Sequence, residues 1–373
     1  MRSIGAALIL LAWLSGVALA SPSRQAWEAV WKSDTSTRHV SISGVAHTRT
    51  VDDEGERTAQ ARVSVQDGKM RLDYEAGKLR WSVIDDGGRL IRLSPEKKRA
   101  LVLPRPSLVV DKGLAERNYE AVVAGQANVA GRPVQIVEIR SQKAPGTGQV
   151  AWRLWLDRET GFALKRERYN AEGKLTSGTE YVEVKFGASV DSSLFAIPRG
   201  WQVMDSDGGG ERLTPAEMGR RLGFTVLLPG YTPPGYELTG GYIRKHGRRE
   251  WEAAELRYTD GLRVLSVFQR EREEDREAGP GAHHRRGRGG PPGTEPQGGG
   301  GRGDSDREGH GRGGRGREGA GRGGFGPPGA EEMSLVDRGS EKALRYLGAG
   351  RVVVVIGDLP AEELMRVARS LER

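Results

Sequence analysis

Two pairs of adjacent carboxylates come closest to the residue types that acid–base catalysis needs. Asp52-Asp53 and Asp85-Asp86 each lie beside a glycine turn. Neighbouring residues of a strand point to opposite faces, so the two members of a pair do not converge on one substrate. We interpret both pairs as turn residues. Because the sequence also contains no G-x-S-x-G, H-E-x-x-H or P-loop motif, it predicts a binding protein and not an enzyme.

The histidines are equally poor candidates for a catalytic or metal site. Three of them fall in a glycine-rich stretch without fixed geometry, and three are scattered along the rest of the chain: His283, His284 and His310, then His39, His47 and His246. Solvated histidine is the default interpretation of such a distribution. The chain also contains no cysteine, which excludes a disulfide framework and thiolate ligands. We therefore predict no metal and no cofactor.

The N-terminus has the pattern of a secretory signal peptide over residues 1–20. An apolar stretch runs from Ile4 to Leu19, and Ala18-Leu19-Ala20 provides a small-residue cleavage site before Ser21. We expect an exported, soluble protein that begins near Ser21, with an uncleaved membrane anchor as the alternative. The formal charge of +8 favours an anionic neighbour. Outside the cytoplasm such neighbours are lipid head groups, lipopolysaccharide phosphates or acidic proteins, and not nucleic acid.

A glycine- and arginine-rich insert is predicted over residues 274–330. Between residues 279 and 327, 21 of 49 residues are glycine, and Phe325 is the only large apolar side chain apart from proline. Such a composition cannot bury enough apolar surface to offset the entropy of ordering, so we expect disorder. Two interpretations remain open for its role: a solvated tether, or adhesion to anionic membrane surfaces through exposed arginines. RNA binding is the least favoured because export removes that ligand.

The region from 21 to 204 predicts an antiparallel all-β domain. From Val40 to about Pro198, short strand patterns alternate with turn signals such as Asp67-Gly68 and Glu172-Gly173. One helix is predicted from Arg24 to Lys32, with Trp27, Val30 and Trp31 on one face. The expected fold class is mainly β (α+β), with an open antiparallel β-barrel first.

A Gly/Asp-rich linker, residues 205–213, separates this region from a second domain at 214–373. Thr214-Pro215-Ala216-Glu217 combines an N-cap hydroxyl, a proline at the first helical position and a capping-box glutamate. The apolar run from Arg351 to Gly357 is typical of a central strand, and the helix that follows repeats its apolar residues at helical spacing. That repeat consists of Leu364, Val367, Ala368 and Leu371. A small antiparallel sheet with packed helices is expected here.

Alternating apolar residues on two strands form a candidate lipid-binding surface. They are Trp152, Leu154 and Leu156, then Val182, Val184 and Phe186. One interpretation is a barrel wall whose apolar side simply faces the core. The other is a concave face that lines a cavity open to an acyl chain, since a barrel that encloses more space than its side chains fill can hold a ligand.

Four stretches of the sequence resemble a known family. RLWLDRETGFALKRERYNAEGKL and FAIPRGW resemble the LolA-like open barrel that the LolA carriers share with the MucB/RseB family. YTDGLRVLSVFQ and RVVVVIGDLPAEELMRVARSLE resemble the C-terminal domain of MucB/RseB, which LolA lacks. The Gly/Arg-rich insert is a departure from the family, and similarity is weak before residue 70.

The resemblance implies a periplasmic negative regulator of an envelope-stress sigma factor. Such a protein binds the periplasmic segment of an RseA- or MucA-like anti-sigma factor, shields it from proteolysis and senses lipid or lipopolysaccharide. The implied lipid surface is the concave face of the barrel. The alternative is a lipid or lipoprotein carrier of the LolA type. The implied partner surface is on the C-terminal sheet at Tyr258, Leu262, Val264 and Phe268.

Overall fold

The structure is a computed structural model that describes the chain in separate stretches. These are residues 22–52, 54–105, 110–143, 146–205, 210–246, 251–271, 332–337, 341–348 and 350–372. The predicted signal peptide, the predicted insert and part of the predicted linker lie outside the described residues. Among the helices that are described, none combines the length and the apolar character needed to cross a bilayer.

A twelve-stranded sheet forms the first half of the chain. In spatial order its strands are β12 (Gln202–Asp205), β6 (Arg99–Pro104), β5 (Arg89–Ser94), β4 (Leu79–Asp85), β3 (Lys69–Ala76), β2 (Gly55–Gln66), β1 (Ile42–Asp52), β11 (Leu175–Phe186), β10 (Ala163–Tyr169), β9 (Val150–Asp157), β8 (Arg132–Ser141) and β7 (Tyr119–Val129). Every neighbouring pair is antiparallel except β12 and β6, which are parallel. The two end strands do not pair with each other, so the predicted open, mostly antiparallel fold is confirmed.

A six-stranded antiparallel sheet forms the second half. In spatial order its strands are β13 (Glu237–His246), β14 (Trp251–Thr259), β15 (Val264–Glu271), β18 (Arg351–Gly357), β17 (Lys342–Gly348) and β16 (Glu332–Asp337). The apolar strand β18 lies between β15 and β17, as its composition predicts. The strands β16 and β17 are not predicted from the sequence, because their short patterns follow the low-complexity insert.

In the described stretches, four α-helices pack on the sheets: α1 (Pro22–Thr35), α2 (Lys112–Asn118), α3 (Pro215–Leu222) and α4 (Ala361–Arg369). The predicted capping box is present at α3, where the Thr214 hydroxyl accepts from the Glu217 amide at 3.3 Å and the Glu217 carboxylate accepts from the Thr214 amide at 2.7 Å. The predicted apolar stripe of α4 is buried in the core of the small sheet, together with residues of α3. Helix α2 is not predicted from the sequence; Asp111 caps its N-terminus by accepting from the Leu114 amide at 2.8 Å.

Three of the four residues in the predicted carboxylate pairs are described, and they have structural roles; Asp53 lies outside the described residues. Asp85 accepts from the Gly87 amide and pairs with Arg105 at 2.7 Å, while Asp86 accepts from the amides of Gly88 and Arg89. Both therefore hold the turn between β4 and β5, as their position beside glycine predicts. Asp52 pairs with Arg57 in the hairpin between β1 and β2.

A buried ion pair fixes the turn between β9 and β10. The Asp157 carboxylate accepts from Arg132 at 2.6 and 3.0 Å, and from the amide and hydroxyl of Thr160 at 2.9 Å each. Its side chain is fully buried. Burial raises the pKa of Asp157, but the hydrogen bonds from Arg132 and Thr160 outweigh it and hold the pKa below its ordinary value.

This lowered pKa predicts how stability depends on pH. Ionised Asp157 stabilises the fold above the unfolded-state pKa, near pH 4, and the stabilisation is lost as the pH falls through the folded-state pKa. Asp157→Asn should cost about 1.5 to 3 kcal/mol at pH 7, and its deficit relative to the wild type should shrink below pH 4. Urea unfolding at pH 7, 5 and 3 measures the effect. A deficit that is the same at all three values would contradict the assignment.

Candidate binding surfaces and the joint between the sheets

Helix α1 packs on one face of the large sheet, which we call the helix face. Directly paired residues of antiparallel strands lie on the same face, and Leu154 pairs with Val137 and Arg166. Ala26, Trp27 and Val30 of α1 form one buried cluster with Val137, Leu154 and Leu156.

The predicted lipid-binding residues of β9 therefore lie beneath α1. Leu154 and Leu156 are buried in that cluster, and Trp152 packs against its margin. An acyl chain could reach Leu154 only if α1 moved away. The predicted alternation along β9 is present, and it belongs here to a packed wall.

A β-bulge separates the predicted lipid-binding residues of β11. The register shifts between Val45, which pairs with Glu183, and Ala46, which pairs with Tyr181, so Val182 has no direct partner on β1. Val182 is 42% exposed, whereas Val184 and Phe186 pack against the second buried cluster of the sheet. The six predicted residues thus do not form a single patch, and their role in lipid binding stays a prediction.

A row of apolar residues on the helix face, buried at Tyr181, Ala46 and Ala61 and half-buried at Tyr74, is missing from the sequence prediction. Tyr181, Ala46, Ala61 and Tyr74 pair in succession across β11, β1, β2 and β3, and Tyr74 stacks on Trp81 of β4 at 4.8 Å. Further half-buried apolar side chains continue this surface across β3 to β6: Leu72, Val83 and Leu101. The period-2 spacing in MRLDY and LRWSV is the signal that could have located them.

An open cleft of about 620 Å³ lies along β1, β2, β10 and β11 and the C-terminal end of β3. Thr48, Ala59, Arg166 and Thr179 contribute to its lining. Charged side chains also line it, including Lys165, which pairs with Glu180 at 2.9 Å and Glu167 at 3.5 Å.

The predicted partner-binding residues fall in three places. Tyr258 is buried in the core of the small sheet, and Leu262 is buried in the cluster beneath α1. Val264 and Phe268 are half-buried on the face of the small sheet opposite α3 and α4, which we call the outer face. A groove of about 150 Å³ lies there, lined by Phe268, Val354, Ile356 and their neighbours. Only Val264 and Phe268 therefore lie where a partner could contact them without disturbing a core.

A closed ion-pair network borders the groove on the outer face. Glu255, which pairs directly with Phe268, accepts from Arg244 at 2.5 Å and Arg257 at 3.0 Å. Burial raises the pKa of Glu255, but the two arginines outweigh it and hold the pKa below its ordinary value. The carboxylate is thus ionised and satisfied within the protein, which leaves the apolar groove as the part of this face suited to a partner.

The turn between β14 and β15 packs against the first half of the chain beside α2. We call this contact region between the two sheets the joint. The Gly261 carbonyl accepts from the amides of Val110 at 2.8 Å and Asp111 at 3.2 Å, which directly precede α2. Leu262 then enters the apolar cluster of the large sheet. A Cβ at Gly261 would lie 2.2 Å from the Ala115 nitrogen, so only glycine fits.

Buried polar groups surround this turn. Tyr119 donates to the Asp260 carboxylate, and the Asn118 amide donates to the carbonyls of Gly235 and Asp260 at 2.9 Å each. Burial raises the pKa of Tyr119 well above its ordinary value, so the phenol is neutral and acts as a donor. Sequence reasoning missed these contacts, because they depend on which elements meet across the joint.

A buried ion pair completes the joint. Asp358, which follows β18, lies 3.2 Å from Arg263 Nε and 3.6 Å from Arg168 Nη2 of β10, and it accepts from the Ala171 amide at 3.3 Å. Burial raises the pKa of Asp358, while both arginines oppose that shift. Since Asp358 comes from one sheet and Arg168 from the other, separating the sheets would break the pair between them, while Asp358 would keep Arg263.

Comparison with known proteins agrees with this two-sheet architecture. The sequence profile of the MucB/RseB N-terminal domain matches residues 35–198. This segment of the chain, which is a little less than half of its length, is thus similar to the N-terminal domain of the MucB/RseB family. Among curated proteins, the sigma factor AlgU regulatory protein MucB of Pseudomonas aeruginosa is 27% identical over 151 residues, which cover 40% of this chain and 43% of that protein. The sequence alignment thus spans less than half of the curated family member.

Solved structures of family members resemble the whole fold. The crystal structure of MucB in complex with the periplasmic part of MucA covers 92% of this chain and 97% of its own, with a TM-score of 0.54 and 18% identity. The Pseudomonas aeruginosa MucA/MucB complex gives the same values. These likenesses extend the shared fold over both sheets.

The two faces of the large sheet predict different costs for two similar substitutions. Leu154→Ala should destabilise the protein by about 2 to 5 kcal/mol, because it opens a cavity beneath α1. Val182→Ala, at the exposed bulge, should change stability by less than about 0.5 kcal/mol. Denaturant unfolding of both variants measures this. Similar costs would mean that the interior beneath α1 is loosely packed.

Two glycine substitutions test whether the close contact at Gly261 holds the two sheets together. Gly261 and Gly55 both have positive φ, +107° and +118°, but a Cβ at Gly55 has nothing within 4 Å. Both alanine variants carry backbone strain, on the order of 1 to 3 kcal/mol, and only Gly261→Ala adds a clash with α2. Hydrogen exchange of the Val110 and Asp111 amides should accelerate in Gly261→Ala and not in Gly55→Ala. Equal exchange in both variants would show that the turn does not hold the sheets together.

Proposed function

We propose that the protein is a periplasmic regulator that binds the periplasmic segment of a membrane-spanning anti-sigma factor, limits its proteolysis and senses lipid. The observation that carries the proposal is the match of residues 35–198 to the MucB/RseB N-terminal domain, since the similar curated protein MucB is named as a sigma factor regulatory protein. The structures of MucB with MucA support the choice of partner, because their fold covers both sheets of this chain.

The outer face of the small sheet supports binding of a peptide. Phe268, Val354 and Ile356 leave an apolar groove of about 150 Å³ that could receive one or two apolar side chains of a partner. The opposite face of this sheet is already filled by α3 and α4. A peptide seated in the groove would be shielded from a protease at the bound residues.

The helix face of the large sheet supports binding of lipid. Leu72, Trp81, Val83 and Leu101 remain half-buried there, outside the clusters beneath α1. Burying an acyl chain gains about 0.8 kcal/mol per methylene, so a few of these contacts would suffice for useful affinity. If lipid and peptide favour different arrangements of the joint, each must weaken the other by the same coupling free energy.

Phe268→Ala tests the partner surface. Binding of the periplasmic segment of the cognate MucA-like anti-sigma factor should weaken by about 30-fold or more, because truncating a central aromatic residue costs about 2 kcal/mol or more. Leu228→Ala, which removes a 53% exposed apolar side chain elsewhere in this half of the chain, should leave the affinity unchanged. Fluorescence anisotropy with a labelled segment measures both.

Three outcomes would count against the proposal. If the wild type does not bind the segment, or does not slow its cleavage by the protease that initiates its degradation, the regulatory function is wrong. If Phe268→Ala binds normally, the partner surface lies elsewhere. If the protein isolated from the periplasm instead retains acylated cargo and no membrane protein, the LolA-type carrier is the better description.

A further inference from the structure

Positively charged side chains border the apolar groove on the outer face of the small sheet. Phe268 pairs in register with Val354, and Val354 pairs with Arg345, so the three residues lie in one row across this face. Arg270 follows Phe268 by two positions on β15 and lines the groove itself. Arg345 is exposed and Arg270 is half-buried. Guanidinium groups thus border the groove both along the row of Phe268 and along strand β15.

The charge around the groove is strongly one-sided. In the row of Phe268 and the two adjacent rows, the described side chains include four arginines and one carboxylate, a net charge of +3: Arg244, Arg257, Arg270, Arg345 and Glu255. The buried Glu255 already accepts from Arg244, Arg257 and the hydroxyl of Ser266, so it cannot balance the remaining arginines. The next described acidic side chain along this face, Glu237, lies near the joint and pairs with Arg117 at 3.1 Å.

The shape of this surface suits a side chain of a partner better than a membrane. Phe268, Val354 and Ile356 are half-buried and line a groove of about 150 Å³, which has room for one or two apolar side chains. A membrane surface would instead need apolar side chains that protrude from the protein. The groove therefore favours a peptide that inserts an apolar residue.

The charge around the groove selects among such peptides. A guanidinium binds a carboxylate through two parallel hydrogen bonds, and these charge-assisted bonds are stronger than neutral ones. Complementary charge also speeds association and disfavours partners of the same sign. A peptide with carboxylates beside its apolar residue would gain both effects at Arg270 and Arg345, whereas a basic peptide would be repelled.

We infer that the outer face binds an acidic segment of a protein partner, in which carboxylates flank a central apolar residue. The apolar residue enters the groove at Phe268, and the carboxylates pair with Arg270 and Arg345. This inference rests on the peptide-binding part of the proposed function and specifies the chemistry of the segment that the site accepts. Arg270 and Arg345 determine specificity, because they distinguish acidic flanks from neutral flanks of the same size.

Two labelled peptides with the same central phenylalanine test the assignment. Aspartates flank this phenylalanine on both sides in one peptide, and asparagines replace them in the other. Fluorescence anisotropy with the full-length mature protein at low salt should give about 10-fold tighter binding of the aspartate peptide. The preference should shrink as salt is added, because salt screens exposed charges. Arg345→Gln should reduce the preference, and the combined variant with Arg270→Gln should remove it, while the affinity for the asparagine peptide stays unchanged.

Arg220→Gln is the matched control, because it removes the same charge from an exposed position on α3, on the opposite face of the sheet, and should alter neither affinity. Arg345→Glu should reverse the selection and favour a third peptide in which lysines flank the same phenylalanine.

The outcomes separate this inference from the proposed function. A wild type without preference for the aspartate peptide, or a preference that survives in the combined variant, overturns the inference. Binding of the anti-sigma segment that depends neither on salt nor on Arg345 also overturns it, while the proposed function stands. Tight binding of the aspartate peptide without binding of that segment rejects the proposed partner and keeps the acidic-segment site. Complete displacement of the peptide by phosphatidylglycerol vesicles would identify a membrane-binding surface and overturn the inference.

Discussion

The arrangement of the two sheets depends on one close contact, in which the turn between β14 and β15 packs against helix α2 of the first half of the chain. Gly261 approaches α2 so closely that no side chain fits, and its carbonyl takes two amide hydrogens at the start of that helix. Leu262 adds apolar burial beside α1, and Asp358 adds an ion pair with Arg168 across the joint. These contacts include close packing, hydrogen bonds and an ion pair, so even a partial separation of the two sheets would break several of them at once.

The joint also connects the two proposed binding surfaces, because residues of the joint contact elements that contribute to each surface. Leu262 lies in the same cluster as Leu154, which pairs directly with Arg166 on the helix face. In the other direction, β15 leads from the joint to Phe268 on the outer face. A ligand that shifts β10 or α1 would therefore act on the turn that begins β15. This gives the two sites a physical route for coupling, which the reciprocity of binding free energies requires to act both ways.

The parts of the fold that follow from local rules could be predicted from the sequence. Period-2 patterns gave most strands of the large sheet, the capping box at Thr214 gave α3, and the apolar run of β18 gave a central strand. Features that depend on register or on long-range packing could not. No glycine or proline marks the bulge at Val182, so simple alternation placed it on the face of Val184.

The candidate binding residues also divide into features that local sequence patterns predict and features that depend on long-range packing. A period-2 apolar strand looks the same in the sequence whether a helix or a ligand covers it, so the pattern alone left Leu154 a candidate both for the core and for a cavity. Asp260-Gly261 was recognisable as a hairpin turn, but nothing in the neighbouring sequence indicates that this turn packs against α2.

The order of the strands also limits how far the β12 edge of the large sheet can move away from the small sheet. The chain leaves this sheet at β12, on one edge, while the small sheet is fastened near β7, on the other. Only the eight peptide steps from Asp205 to Leu213, which bridges to Gly241 of β13, connect the two. At about 3.3 to 3.6 Å per residue, that length spans at most roughly 29 Å. The distance between Asp205 and Leu213 cannot exceed this length, so the β12 edge of the large sheet cannot move farther than that from the start of the small sheet.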